Sequence, residues 1–186
     1  MKKKQNIFLV GPMGAGKTTV GRSLASVLGS EFYDSDQVIE ARAGVDLSWI
    51  FDIEGEVGFR KREIEVIEEL TKMQGIVLAT GGGVVEEPVN CNVLAARGVV
   101  IYLQATIEQQ LARMEKDKRR PLLMQTEDRR QLLLELQVKR DPLYCSVADY
   151  TFTTDGRSVK AVTTDIMHAL DNPFPQQSIA EEEDIS

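Results

Sequence analysis

The sequence is poor in the residues that build metal centres and disulfide frameworks. It holds two cysteines, Cys91 and Cys145, and one histidine, His168. The cysteines are far apart in the chain, and neither has a Cys or His neighbour at metal-ligand spacing. Neither a zinc site nor a disulfide is expected, and both read as small packing residues. His168 lies on the last predicted helix and reads as structural. No stretch approaches the roughly 18 consecutive apolar residues of a membrane span. The basic start, MKKKQN, leads into only four apolar residues before a glycine, too few for the apolar region of a signal peptide. A cytoplasmic protein without a membrane partner is expected. Positive charge is in the minority: 22 Lys and Arg against 29 Asp and Glu give −7. Five of the acids follow residue 170, where no Lys or Arg occurs, so residues 1–170 carry −2. That balance argues against nucleic-acid binding. No internal repeat is visible.

What is present suffices for a core. Hydrophobic residues make up 42% of the chain, and its length fits one domain with a small inserted lid. Residues 1–170 are expected to form that domain. Residues 171–186, with two prolines and an acidic run, are expected to be a disordered tail.

The chain is organised around NIFLV-GPMGAGKT, residues 6–18. A short apolar run, Ile7 to Val10, breaks into a loop with glycines at 11, 14 and 16. Lys17, Thr18 and an amphipathic helix follow. The pattern is G-x-x-x-x-G-K-S/T. Its glycines let successive N–H groups point at one anion, and the helix N-terminus behind them adds positive potential. Lys17 would reach the β- and γ-phosphates of a nucleotide, and the Thr18 hydroxyl would take Mg²⁺.

Further along, periodicity gives a helix to Leu28, a strand at Glu31–Asp34, and helical pieces over 37–55 with breaks at Gly44 and Gly55. A helix over about 56–73 and a strand at Ile76–Ala79 follow, the strand running into Gly81-Gly82-Gly83. A helix over about 89–97 precedes a strand at Val99–Leu103. Thr106 with Gln109 has capping-box spacing before the next helix. Residues 115–125, with Pro121, read as a mobile loop. A helix over about 127–140 is expected to stop at Asp141-Pro142. A strand at about Asp149–Thr153 and a helix over 158–170 complete the domain. Such alternation implies a parallel sheet covered by helices on both faces, with ligands at the carboxyl ends of its strands.

The groups able to carry chemistry lie at those ends. Asp34 and Asp36 flank Ser35, and in extended chain both would point one way. One could support a magnesium shell through water, the other hold or deprotonate an acceptor hydroxyl; a plain turn or helix cap competes with this. The glycine triplet could offer bare N–H groups to a ligand. Arg60 could be oriented by Glu63, three residues on. Arg113, Lys116, Lys118, Arg119 and Arg120 could form a basic lid that excludes water and brings an arginine to transition-state charge. Arg140 stands at an expected helix end, where a cation is favoured in any case.

Taken together, GPMGAGKTTVGRSLA, FYDSD, FDIEGEVGFRKRE, ATGGGVV, KRRPLL and KRDPLY resemble the shikimate kinase family, in that order and with compatible spacing, from about residue 6 to 170. The resemblance implies a three-layer α/β/α P-loop kinase fold, with a five-stranded parallel sheet of order 2-3-1-4-5. Substrate-binding helices over about 36–73 and a mobile lid over about 113–125 would serve it. It implies transfer of the ATP γ-phosphate to the 3-hydroxyl of shikimate with Mg²⁺, on the route to chorismate and the aromatic amino acids, by a monomer. Gly14, Ala15, Gly16, Lys17, Thr18 and Thr19 would bind ATP phosphates, with Thr18 and Asp34 serving the metal. Asp36, Arg60, Gly82 and Arg140 would bind shikimate. Lys17, Asp36 and Arg120 would be catalytic, Arg120 from the lid. Arg113 and Arg157 would lie near the adenine.

Two other readings remain open from the residues. One is a related kinase for gluconate or a nucleotide, which would differ in its acceptor site. The other is a GTP-dependent switch: Asp52-Ile53-Glu54-Gly55 spells D-x-x-G, but it falls between helical pieces, and no N/T-K-x-D motif accompanies it.

Overall fold

The computed structural model describes residues 5–114 and 128–171. Strands β1 (Ile7–Val10), β2 (Glu31–Asp34), β3 (Ile76–Ala79), β4 (Val99–Gln104) and β5 (Tyr150–Thr153) form one sheet of order β2-β3-β1-β4-β5, every pair parallel. This is the expected order. β1 is central, with Ile7 opposite both Val77 and Val99.

Side chains alternate across this sheet, and both faces are covered, so β1, β3 and β4 read as unbroken apolar runs. Ile7, Leu9, Val77, Ile101 and Leu103 pack against helices α1 (Lys17–Leu28) and α7 (Val159–Asp171). Phe8, Val10, Leu78, Val100 and Tyr102 point the other way. There they meet α2 (Ser35–Ala43), α3 (Leu47–Leu70), α4 (Pro88–Arg97) and α6 (Arg129–Val147). A third, smaller cluster joins α5 (Ile107–Met114) to α6 through Ile107, Met114 and Leu133, with Met13 of the phosphate loop.

Buried Asn6 ties the foot of the sheet together. Its amide donates to the Met73 carbonyl at 2.7 Å and accepts from the Ile76 N–H at 3.1 Å.

Two helices differ from their sequence reading. The pieces before and after Gly55 are one helical run with a kink, where Gly55 adopts φ 68° and ψ −176°. Phe51 and Phe59 stack across that kink with ring centroids 4.6 Å apart. The same run ends at Leu70 rather than 73. The larger correction is α6, which does not stop at Asp141-Pro142 but continues to Val147. Proline removes one backbone donor. Here Pro142 is exposed, and so is Val138, four residues earlier, whose carbonyl can turn to water. Beyond it Leu143, Tyr144 and Val147 pack on the core, and that burial outweighs the local stop signal. Of the two cysteines, Cys91 packs at the core edge as expected; Cys145 is exposed.

Candidate active site

β1 leads to α1, which carries the chain towards β2 and β3; the chain then recrosses β1 to reach β4. Loops leaving the strand tops therefore diverge around β1, and a crevice opens there. It is a cleft of about 520 Å³.

The phosphate loop forms one wall. Gly11, Gly14 and Gly16 all have positive φ, and a Cβ on Gly11 would lie 2.3 Å from the Leu103 carbonyl oxygen. No larger residue fits that turn. Gly16 caps α1 in the left-handed region, so the helix N-terminus opens on the cleft. Lys17 is nearly buried, and its ammonium donates to the Gly11 and Pro12 carbonyls at 2.7 and 2.8 Å. Gly14, Gly16, Thr18 and Thr19 line the cleft as expected, whereas Ala15 is fully buried in the core beneath.

Asp34 caps a helix and also meets the phosphate loop. Its Oδ1 accepts from the Asp36 and Gln37 N–H groups and caps α2, while its Oδ2 accepts from the Thr18 hydroxyl at 2.7 Å. Because that hydroxyl donates to Asp34, its lone pairs stay available to a cation. The pair fits a phosphate-bound magnesium ion. Among the described residues no group of three or more His, Cys, Asp or Glu could hold a metal by itself.

The glycine triplet forms the floor. None of its members has positive φ, so glycine is not needed there for conformation. It is needed for room at Gly81 and Gly83. A Cβ on Gly81 would sit 2.8 Å from Asp36 Oδ1 and 2.9 Å from Glu63 Oε1. One on Gly82 would sit 3.6 Å from an Arg140 Nη, and one on Gly83 would lie 2.1 Å from an Arg60 Nη. Gly81 and Gly83 thus leave room for charged side chains, whereas at Gly82 a Cβ would meet only ordinary contacts, and Asp36, Arg60, Arg140 and Gly82 all line the cleft.

Both arginines are buried and anchored by carboxylates. Arg60 donates to Glu63 Oε2 at 2.7 Å and to Glu56 at 3.2 Å. Arg140 lies inside α6, not at its end, and its Nε donates to Glu86 at 2.5 Å. Glu63 is fully buried, and its Oε1 has no hydrogen-bond partner among the described residues. Burial pushes the Glu63 carboxyl above its ordinary range, against the pull of the Arg60 guanidinium. Burial also opposes ionisation of Glu86, but Lys139 and Arg140 together hold its pKa below the usual value.

Arg113 lines the cleft and donates to the Gly14 carbonyl at 2.7 Å and to Thr154, joining the phosphate loop to the end of β5. Arg157 is paired with Asp165 and does not line the cleft. Arg120 and residues 115–125 lie outside the described residues, as does the tail from 172. The D-x-x-G at Asp52–Gly55 lies within α3.

Three supporting residues are not singled out by the sequence. Ser35 is fully buried and accepts the Gly81 N–H at 3.0 Å. Glu86 anchors Arg140, and Tyr144 donates to the Gly82 carbonyl. Each reaches its partner across more than 40 residues, and no spacing in the chain signals such a contact.

The family model for shikimate kinase matches residues 13–171. The shikimate kinase of Actinobacillus succinogenes is 60% identical over 172 residues, 92% of this chain and 98% of that protein. That of Vibrio parahaemolyticus is 60% identical over 171 residues, 92% of this chain and 99% of its own. Among solved structures, the Acinetobacter baumannii shikimate kinase in complex with shikimate superposes with a TM-score of 0.88 at 50% identity, covering 91% of this chain and 94% of that one. The Aquifex aeolicus shikimate kinase gives 0.76 at 32% identity, over 90% and 97%. The phosphate-loop motif and two buried arginines share one cleft, and the likeness spans nearly the whole chain: it belongs to the shikimate kinase family.

Proposed function

We propose that this protein transfers the γ-phosphoryl group of ATP to the 3-hydroxyl of shikimate, giving shikimate 3-phosphate on the route to chorismate. The observation that carries this is one cleft in which Lys17 and Thr18 face Asp36, Arg60 and Arg140 across the glycine triplet. A small hydroxylated acid needs planar cationic forks for its carboxylate and acceptor-only groups for its hydroxyls. Arg60 and Arg140 supply the forks, each already oriented by a carboxylate. Asp36, which lines the cleft beside Gly81, supplies a hydroxyl acceptor.

Gly14 to Thr19 hold the triphosphate. Lys17 exchanges its two loop carbonyls for β- and γ-phosphate oxygens, an exchange of partners without loss of hydrogen bonds. Thr18 and Asp34 would hold Mg²⁺, which would neutralise phosphate charge when bound. Arg113, which lines the cleft, borders the nucleotide, and Arg120 is the arginine assigned to charge on the transferred group. In the transfer, the acceptor oxygen forms a bond to the γ-phosphorus as the bond to ADP breaks. Asp36 accepts the hydrogen bond of that hydroxyl and aligns it. Positioning and charge stabilisation account for the rate. Residues 1–170 act as one kinase domain, a cytoplasmic monomer without nucleic-acid or membrane partners.

The test is incubation with ATP, Mg²⁺ and shikimate, followed by product and ADP. Equimolar shikimate 3-phosphate and ADP are expected, with turnover abolished in a folded Lys17→Ala variant. ADP formation without phosphorylated acceptor would overturn the proposal.

A further inference from the structure

Glycine runs are conformationally loose, yet the proposed site asks Gly82 to offer its N–H to the acceptor. The structure shows what holds it. The peptide before Gly81 is fixed by its N–H, donated to the buried Ser35 hydroxyl. The peptide between Gly81 and Gly82 is fixed by its carbonyl, which accepts from the Val84 N–H at 3.3 Å and turns the Gly82 N–H the opposite way. The peptide between Gly82 and Gly83 is fixed by its carbonyl, the acceptor of the Tyr144 hydroxyl.

Tyr144 is suited to that task. It is 1% exposed, its ring packs on Tyr102 with centroids 4.9 Å apart, and it lies one turn after Arg140 on α6. Burial raises its pKa, so the phenol keeps its proton and remains a donor. Arg140 is set from the same place, since its Nη lies beside Gly82 while its Nε is held by Glu86.

We propose that Tyr144 is a positioning residue for the acceptor half of the site, its hydroxyl holding Gly82 and its helix turn holding Arg140 so that both meet one substrate. Its hydroxyl acts on Gly82 and its helix turn on Arg140, so its effect should fall mainly on one ligand. This rests on the reading of the cleft as a shikimate site.

The experiment compares Tyr144→Phe with the wild type by titrating shikimate and, separately, ATP with Mg²⁺. Tyr102→Phe serves as control, because it also removes a buried phenol, one that bonds Asp141 rather than Gly82. Removing one buried hydrogen bond predicts a loss of about tenfold in shikimate affinity for Tyr144→Phe. ATP affinity should stay within about twofold, and Tyr102→Phe should leave both within about twofold, on the same scale. The loss should also be smaller in an Arg140→Ala background, because the two residues act on one ligand. Parallel losses for both ligands, or none, overturn the role of Tyr144 while leaving the shikimate site standing. If Tyr144→Phe does not fold, the control must fold and the Gly82 N–H of wild type must still shift on shikimate addition; an unmoved resonance overturns the proposal. Wild-type protein that binds no shikimate removes the functional reading, and this role with it.

Discussion

The Thr18 hydroxyl donates to Asp34 Oδ2 at 2.7 Å, joining the first turn of α1 to the end of β2. That direction of donation leaves oxygen lone pairs for a cation. Asp34→Asn can keep the helix cap through its remaining oxygen but places an amide donor against the hydroxyl. The Mg²⁺ concentration for half-maximal turnover should rise about tenfold, the scale of one charge-assisted bond. The melting temperature should change little. A magnesium titration checks this; an unchanged midpoint would contradict it.

Arg60 and Glu63 form a buried pair, so removing the arginine has two separable consequences. Arg60→Ala should weaken shikimate by about ten- to a hundred-fold, from the loss of roughly 1.5–3 kcal/mol, with a much smaller effect on ATP. It should also destabilise the fold by about 3 kcal/mol, because Glu63 is left buried without its countercharge. Adding Glu63→Gln should restore part of the stability and none of the affinity. Denaturant melts and ligand titrations separate the two effects.

Gly83 has φ −92°, which alanine adopts readily, but a Cβ would lie 2.1 Å from an Arg60 Nη. Gly83→Ala should therefore fold and displace Arg60. The KM for shikimate should rise about tenfold or more, with the KM for ATP nearly unchanged. Initial-rate kinetics in both substrates measure it.

Glu68 on α3 accepts from Arg97 of α4 and from Lys72, which hold its pKa at about 2 against an ordinary 4.5. A lowered folded-state pKa stabilises above the unfolded value and loses that contribution as pH falls through the folded value. Between about pH 5 and 2 the wild type should lose stability faster than Glu68→Gln. Chemical melts across that window check the difference in slope.

These residues also mark what the sequence makes legible. The central strands are readable because burial on both faces makes them continuous apolar runs, and the phosphate loop because its glycines have no substitute. Asp36, Arg60 and Arg140 stand out by residue type at a strand or helix end. Local signals fail where long-range packing decides. Pro142 reads as a stop, yet Tyr144 and Val147 continue the helix because they bury on the sheet. The spacing of Arg60 and Glu63 signals a pair, but not that both are buried. The glycine triplet reads as an offer of bare N–H groups to a ligand, and nothing local shows that it also leaves space for Asp36, Glu63 and Arg60, which arrive from elsewhere in the chain.

The choice of acceptor is the central claim. Its most direct test is phosphoryl transfer from ATP and Mg²⁺ with shikimate, gluconate and a nucleoside monophosphate supplied in turn at equal concentration. Rapid transfer to shikimate alone is expected; transfer to gluconate or the nucleotide with none to shikimate would contradict it.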